Sequence, residues 1–274
     1  MALIVAMEPA VSQPEPPGSG TPELEFGLLP FASAGTLFKR FAPLREYLET
    51  RLERPVRLRT AADFATFVRR TQAGRYHIVL TAPHFTLMAM DSGRYQVRAT
   101  YRERLAAVVV GRQDGMSLDA EGCRTVATPP PTAVITLLGR DFLARSQSRA
   151  DYAFRSYATH NAAVQAVIGG DACLAVVSVN VWNRVRAQEP DLRRIARTPA
   201  IPALGMLVRR DLPNDLRDRI ADALVGMRDH PQGRRALERM AYPGYRPARA
   251  AEFEPTRRFL EILPKGWPGQ GNSQ

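Results

Sequence analysis

Several short stretches carry side chains that could hold an anion. One is Thr128-Pro129-Pro130-Pro131-Thr132, between an apolar run ending at Ala127 and a helical pattern that begins at residue 133. At such a junction backbone N–H groups and the helix dipole face any anion above the strand ends. Here three prolines remove three of those donors. Thr132 offers a hydroxyl to a ligand, or it caps the helix. A second candidate is His160, which opens His160-Asn161-Ala162-Ala163-Val164-Gln165-Ala166-Val167. An imidazole at a helix start can donate to an oxyanion and titrates near neutral pH, though it can equally be a solvated cap. Phe31 and Ser33 end the first strand pattern, and Thr81, His84 and Phe85 surround a turn at Pro83. Hydroxyl and imidazole groups at strand ends suit an oxyanion and aromatic rings suit an organic group, but each aromatic is as well placed to be core. Gly-x-Ser-x-Gly, Walker, Gly-x-Gly-x-x-Gly and His-Glu-x-x-His patterns are all missing from the sequence, so neither an enzyme nor a cofactor is expected.

The elements that must position these residues follow from periodicity. Residues 24–83 alternate three short apolar strands with two amphipathic helices, over 36–52 and 62–73, and a third helix is expected over 85–92. Leu37, Phe38, Phe41, Leu44, Tyr47, Leu48 and Leu52 form the stripe of the first helix, and Phe64, Phe67 and Val68 one face of the second. Strands over 95–100 and 105–110 and a turn over 111–115 come next. A second such unit then begins, with strands over 123–127, 152–157 and 174–177 and helices over 133–144, 160–168 and 179–188. Gly169-Gly170 stops the middle helix. The chain ends with a strand near 195, a loop over 198–202, a strand over 204–208, and helices over 213–230, 231–241 and 251–262. This is an α/β pattern, and in open α/β sheets ligands sit beyond the carboxyl ends of the strands.

Residues 24–262 resemble the phosphate/phosphite/phosphonate-type solute-binding proteins of ABC importers. The matching pieces are Tyr47-Leu48-Glu49, Pro55-Val56, Ala62-Asp63-Phe64, Gly74-Arg75-Tyr76-His77, and a later run that keeps His160, Ala163, Val167 and Gly170. The resemblance implies a type 2 periplasmic binding protein, with two Rossmann-like lobes joined by a two-strand hinge near 102–112 and 196–206. Residues 23–103 and 206–262 would form the first lobe, 104–205 the second, 1–22 a disordered leader or linker, and 263–274 a flexible tail. The C-terminal helices would pack on the first lobe. In this family the 128–132 loop carries a Ser-Thr-Ser-Gly that cradles a phosphoryl group, which here becomes Thr128-Pro-Pro-Pro-Thr132. The family's histidine at 160 faces the ligand, and a tyrosine stands at Phe64. The acidic residue that receives an amino group is Asn180 here, and an aspartate position is Cys173. Arg104, at the hinge, could counter an anion. The implied function is capture of a small oxyanion or phosphonate-like ligand by a periplasmic monomer that delivers it to an ABC permease. The alternative is a ligand sensor signalling to a membrane histidine kinase. Arsenite is one ligand for such a sensor, since a thiolate at Cys173 would prefer a soft partner; a small core residue is the plainer reading of Cys173.

The composition fits that reading. The chain has 274 residues and a net charge of +11, almost wholly from arginine, with Lys39 and Lys265 the two lysines. The arginines are dispersed and no nucleic-acid motif accompanies them, so nucleic acid is not an expected partner. Met1 to Met7 is apolar but lacks a basic flank, so a signal peptide is read as absent or truncated. Cys123 and Cys173 show no zinc spacing. A disulfide between them would fit an oxidising compartment, and two separate thiols would fit as well.

Overall fold

The computed structural model describes residues 22–112, 118, 124–146, 151–264 and 266–268. The expected leader, Cys123, most of the 111–115 turn and the end of the expected tail lie outside the described residues. The first sheet is built from β1 (Leu24–Leu28), β2 (Val56–Arg59), β3 (Ile78–Thr81), β4 (Tyr95–Tyr101), β10 (Gly205–Arg209) and β11 (Tyr245–Pro247), in the order β11-β4-β10-β3-β1-β2. β1 runs parallel to β2 and β3, while β10 is antiparallel to β3 and β4. The second sheet holds β5 (Ala107–Arg112), β6 (Thr125–Thr128), β7 (Ala153–Ser156), β8 (Leu174–Ser178) and β9 (Leu192–Arg197), in the order β7-β6-β8-β5-β9. The parallel pairs are the βαβ units read from the sequence, and each needs a helical crossover.

Strand alternation sorts side chains into separate cores. On β10, Met206 and Val208 enter a core beneath α1 (Ala34–Leu52), α7 (Asn214–Val225) and α8 (Pro231–Met240), while Leu207 faces the other side. Tyr47 of α1 donates from Oη to the Ala223 carbonyl at 3.0 Å, which ties α1 to α7. On β5, Val108 and Val110 pack under α5 (His160–Ile168) and α6 (Val179–Val185), while Ala107 and Val109 face the opposite core. There α4 (Val134–Arg145) lies so close to β8 that a Cβ at Gly139 would collide with Val176. Glycine at that position lets the helix, and the loop before it, sit tight on the sheet.

The chain leaves the first sheet between β4 and β5 and returns between β9 and β10. The two crossing segments pair through Leu105 and Ile201, whose N–H groups and carbonyls exchange hydrogen bonds of 2.9 and 2.8 Å. Thr198 Oγ1 accepts the Ala107 N–H at 3.0 Å beside them. This two-strand connection is the hinge that the resemblance implies.

One core runs through both sheets. It joins Phe67, Val79, Phe85 and Met88, on α2 (Phe64–Gln72), β3 and α3 (Pro83–Asp91), to Val126, Leu138, Leu143 and Val176 of the second sheet. Phe253, Phe259 and Leu263 complete it. Arg257 pairs with Asp91 of α3 at 2.7 Å, and Arg258, on the short helix α9 (Arg258–Glu261), pairs with Asp141 of α4 at 3.0 Å. Trp267 stacks on Phe85, with ring centroids 6.0 Å apart and planes 8° from parallel. The C-terminal segment therefore packs on both sheets rather than on the first alone, and Leu263 and Trp267 are packed where a flexible tail was expected. Apolar residues placed beyond the last helical pattern are what pull it down.

Candidate functional site

A cavity of about 660 Å³ opens between the two sheets, beside the hinge. From the first sheet's side it is walled by Leu29, Phe31, Phe64, Ala82 and Phe85, which follow β1 and β3 or begin α2 and α3. From the second side come Thr132 and the first residues of α4, His160 at the start of α5, and Ser178, Asn180, Asn183 and Arg184 around α6. The hinge contributes Glu103, Arg104 and Leu105. This is the position beyond strand ends where an α/β sheet leaves groups free to meet a ligand.

Seven of the expected residues share this wall: Phe31, Phe64, Phe85, Arg104, Thr132, His160 and Asn180. Thr132 is 6 % exposed but does not cap α4, whose N-cap is Ala133 without a side-chain bond. The loop before it is held by hydroxyls instead. Pro129's carbonyl accepts Thr136 Oγ1 at 2.9 Å and Ser156 Oγ at 3.3 Å. His160 has a buried Nδ1 with no partner among the described residues. Burial, and then the Arg184 guanidinium, push its pKa down to about 4, so the ring is neutral at pH 7 and offers one N–H. Thr159, not His160, caps α5 by accepting the Ala162 N–H at 3.1 Å. The imidazole is left free of that local duty.

The other expected residues lie elsewhere. Ser33 caps α1 by accepting the Thr36 N–H at 3.3 Å, and so turns towards its own helix. Thr81 is buried against Phe67, Val68 and Phe85 in the core between α2 and α3. Thr128 is buried too, its carbonyl accepting the Tyr157 N–H at 2.8 Å. His84 is fully buried with its ring 3.9 Å from that of Phe85. Neither of its nitrogens reaches hydrogen-bond geometry, although the Thr132 backbone is close enough to favour the charged form slightly. Burial dominates and drives its pKa down to about 3. Strand-end position alone did not separate these side chains from the cavity-facing ones, because alternation sends every second residue inward. Cys173 does not line the cavity and is disulfide-bonded. No free thiolate is available there for a soft ligand, and the reading of two separate thiols is set aside. The only other cysteine in the sequence is Cys123.

Sequence reasoning passed over Arg40, Tyr101, Glu103, Ser178, Asn183, Arg184 and Tyr242 as cavity residues. A signal existed for two of them. Asn183 and Arg184 lie three and four residues after Asn180, on one helix face. Tyr242 comes from the loop after α8, and nothing local marks it. Three arginines against one glutamate make the lining electropositive. Arg104 donates to the Ala200 carbonyl at 2.8 Å, while Arg40 and Arg184 form no ion pair with a described carboxylate. Among the described residues no cluster of three or more His, Cys, Asp or Glu could hold a metal, and no helix is long and apolar enough to cross a membrane.

Solved structures share this architecture. A binding protein component of an ABC phosphonate transporter from Pseudomonas aeruginosa superposes with a TM-score of 0.70 at 15% identity, over 87% of this chain and 85% of its own. PhnD1 from Prochlorococcus marinus, in complex with methylphosphonate, gives 0.73 at 12% identity, over 88% and 99%. A Xanthomonas citri protein bound to ATP gives 0.72 at 18%, over 88% and 95%. These likenesses establish the type 2 periplasmic binding protein fold. The model of the family described as "ABC transporter, phosphonate, periplasmic substrate-binding protein" matches residues 26–253, and the chain belongs to that family of solute-binding proteins.

Proposed function

We propose that this protein captures a small phosphonate-like oxyanion in the cavity between its lobes, as a periplasmic monomer, and presents the closed form to an ABC permease. The observation that carries the reading is the electropositive cavity beside a two-strand hinge, where His160 keeps an unpartnered nitrogen within reach of the charge of Arg184. Methylphosphonate in the Prochlorococcus relative supports the ligand class. The anion would take the His160 N–H and the Thr132 hydroxyl, with Arg184 and Arg104 supplying charge, since charge-assisted bonds are the strong ones. Closure about the hinge would then remove water from these contacts and create a new surface for the permease.

Thermal shift of the full chain against phosphate, phosphite, methylphosphonate, sulfate and arsenite tests this. Stabilisation by at least one phosphorus oxyanion, rising with its concentration as mass action requires, is the expected result. Failure of every anion to move the transition would refute the proposal.

A further inference from the structure

We propose that the ligand carries a planar, aromatic substituent on its oxyanion, so that arylphosphonates, rather than the smallest phosphonates, are the preferred class. The inference rests on the reading of the cavity as an oxyanion site and adds what the rest of its wall requires. Thr132, His160 and Arg184 lie on the second lobe's face, with Arg104 at the hinge and Arg40 on the first lobe. The facing wall of the first lobe carries a group of aromatic rings: Phe31 sits edge-on to Phe41, with centroids 6.4 Å apart, and Tyr242 stacks on Phe41 at 6.0 Å and lies 4.8 Å from Tyr101. Phe31, Tyr101 and Tyr242 line the cavity. Phe31 is 38% exposed, one of three large apolar side chains left so open among the described residues. A small oxyanion held at His160 would leave that ring uncovered. A cavity of about 660 Å³ also lies in the size range of pockets that enclose ligands of many atoms (roughly 300–1,000 Å³).

Tyr101 adds an independent observation. It is 8% exposed, and its Oη is buried without a hydrogen-bond partner among the described residues. Tyr242 and Tyr245 come near without reaching hydrogen-bond geometry, and the Tyr245 Oη, on a ring 5.2 Å away, is unpartnered among the described residues too. Buried hydroxyls are normally satisfied. A planar ring against Phe31 and Tyr242 would cover the phenylalanine, and a ring bearing an edge acceptor would reach this hydroxyl as well. Aromatic groups prefer offset or edge-to-face neighbours, and the Phe31–Phe41–Tyr242 arrangement presents both kinds of surface.

Isothermal titration calorimetry of the full chain with phosphate, methylphosphonate and phenylphosphonate tests the inference. Phenylphosphonate is expected to bind roughly tenfold or more tighter than methylphosphonate. Phe31→Ala, at a site open enough to spare the fold, should weaken phenylphosphonate by a factor several times larger than its effect on methylphosphonate. Tyr242→Ala should reproduce that difference. Equal or tighter binding of methylphosphonate, or equal losses for both ligands in the Phe31 variant, would overturn the aromatic substituent and leave the oxyanion site standing. Binding of phosphate with neither phosphonate would do the same. Absence of binding by all three would bring down the oxyanion reading, and this inference with it.

Discussion

His160→Ala should weaken a bound phosphonate sharply while leaving the fold nearly intact. The imidazole Nδ1 is buried and unpartnered among the described residues, so the substitution breaks no hydrogen bond of that nitrogen there. Thr159 supplies the cap of α5, so the helix start does not depend on the imidazole either. What is lost is a hydrogen bond to a charged ligand, worth about 1.5–3 kcal/mol, or roughly 10- to 150-fold in Kd. The pH dependence gives a second readout. In the free protein burial and Arg184 hold the His160 pKa at about 4. An anion against the ring favours its charged form, so the pKa in the complex is higher and binding takes up a proton. Affinity should therefore rise as pH falls from the complex's pKa towards about 4, by at most about tenfold per pH unit. Titration calorimetry with methylphosphonate below about pH 6.5, where the ligand stays a monoanion, reads both effects for wild type and variant. Unchanged affinity in the variant, or a wild-type affinity independent of pH alongside a variant that behaves identically, would refute the assignment.

Other predictions concern the frame. His84, fully buried, and His160, half-buried, bind protons more readily when unfolded, since their folded pKa values are about 3 and about 4 against 6.5. Their contribution is complete above about pH 6.5 and is lost as pH falls through that window. The apparent Tm should drop between about pH 6 and 4, and His84→Leu should flatten the drop; a parallel curve would contradict the buried neutral ring. Gly27→Ala would put a Cβ 2.6 Å from the Tyr76 ring, which is stacked on Phe67 and cannot yield, so denaturant unfolding should show a loss of about 1–3 kcal/mol. Reducing the disulfide at Cys173 should cost about 2–4 kcal/mol, and an unchanged melting curve after confirmed reduction would count against it.

Much of this fold was legible because the βαβ units carry strong periodicity. The expected 36–52 helix is α1 (Ala34–Leu52), and 160–168 is matched by α5 (His160–Ile168). The site was harder to read. Thr132, His160, Phe31, Phe64 and Asn180 meet the cavity because they sit at junctions, where the chain turns across the sheet edge. Thr81 and Ser33 occupy junctions too, yet one side chain points into the core and the other back to its own helix. Position along the chain sets which element a residue ends; the local rotation of the backbone sets which way it faces. Tyr242 and Arg40 reach the wall only through packing of α8 and α1, a tertiary fact with no local pattern. The C-terminal segment was misread because its partners, Asp141 and Phe85, lie more than a hundred residues away.

Under the proposed oxyanion reading, the proline loop gives a reason for the arginine charge beside His160. A loop rich in serine and glycine would meet an anion with backbone N–H groups, which act at short range and are fixed by the fold. Pro129, Pro130 and Pro131 have no such groups to give, and Pro129's carbonyl is already engaged by Thr136 and Ser156. The loop is therefore rigid but poor in donors. Under the proposed oxyanion reading, the missing donors must come from side chains on neighbouring helix starts, and the second lobe offers His160 on α5 with Arg184 on α6. The two groups differ in kind. Arg184 acts through a field that salt attenuates over about 10 Å, and so draws the anion in. His160, half-buried and neutral in the free protein, would give a directional bond at short range. Attraction and selection then fall to different residues, in place of a single cradle doing both.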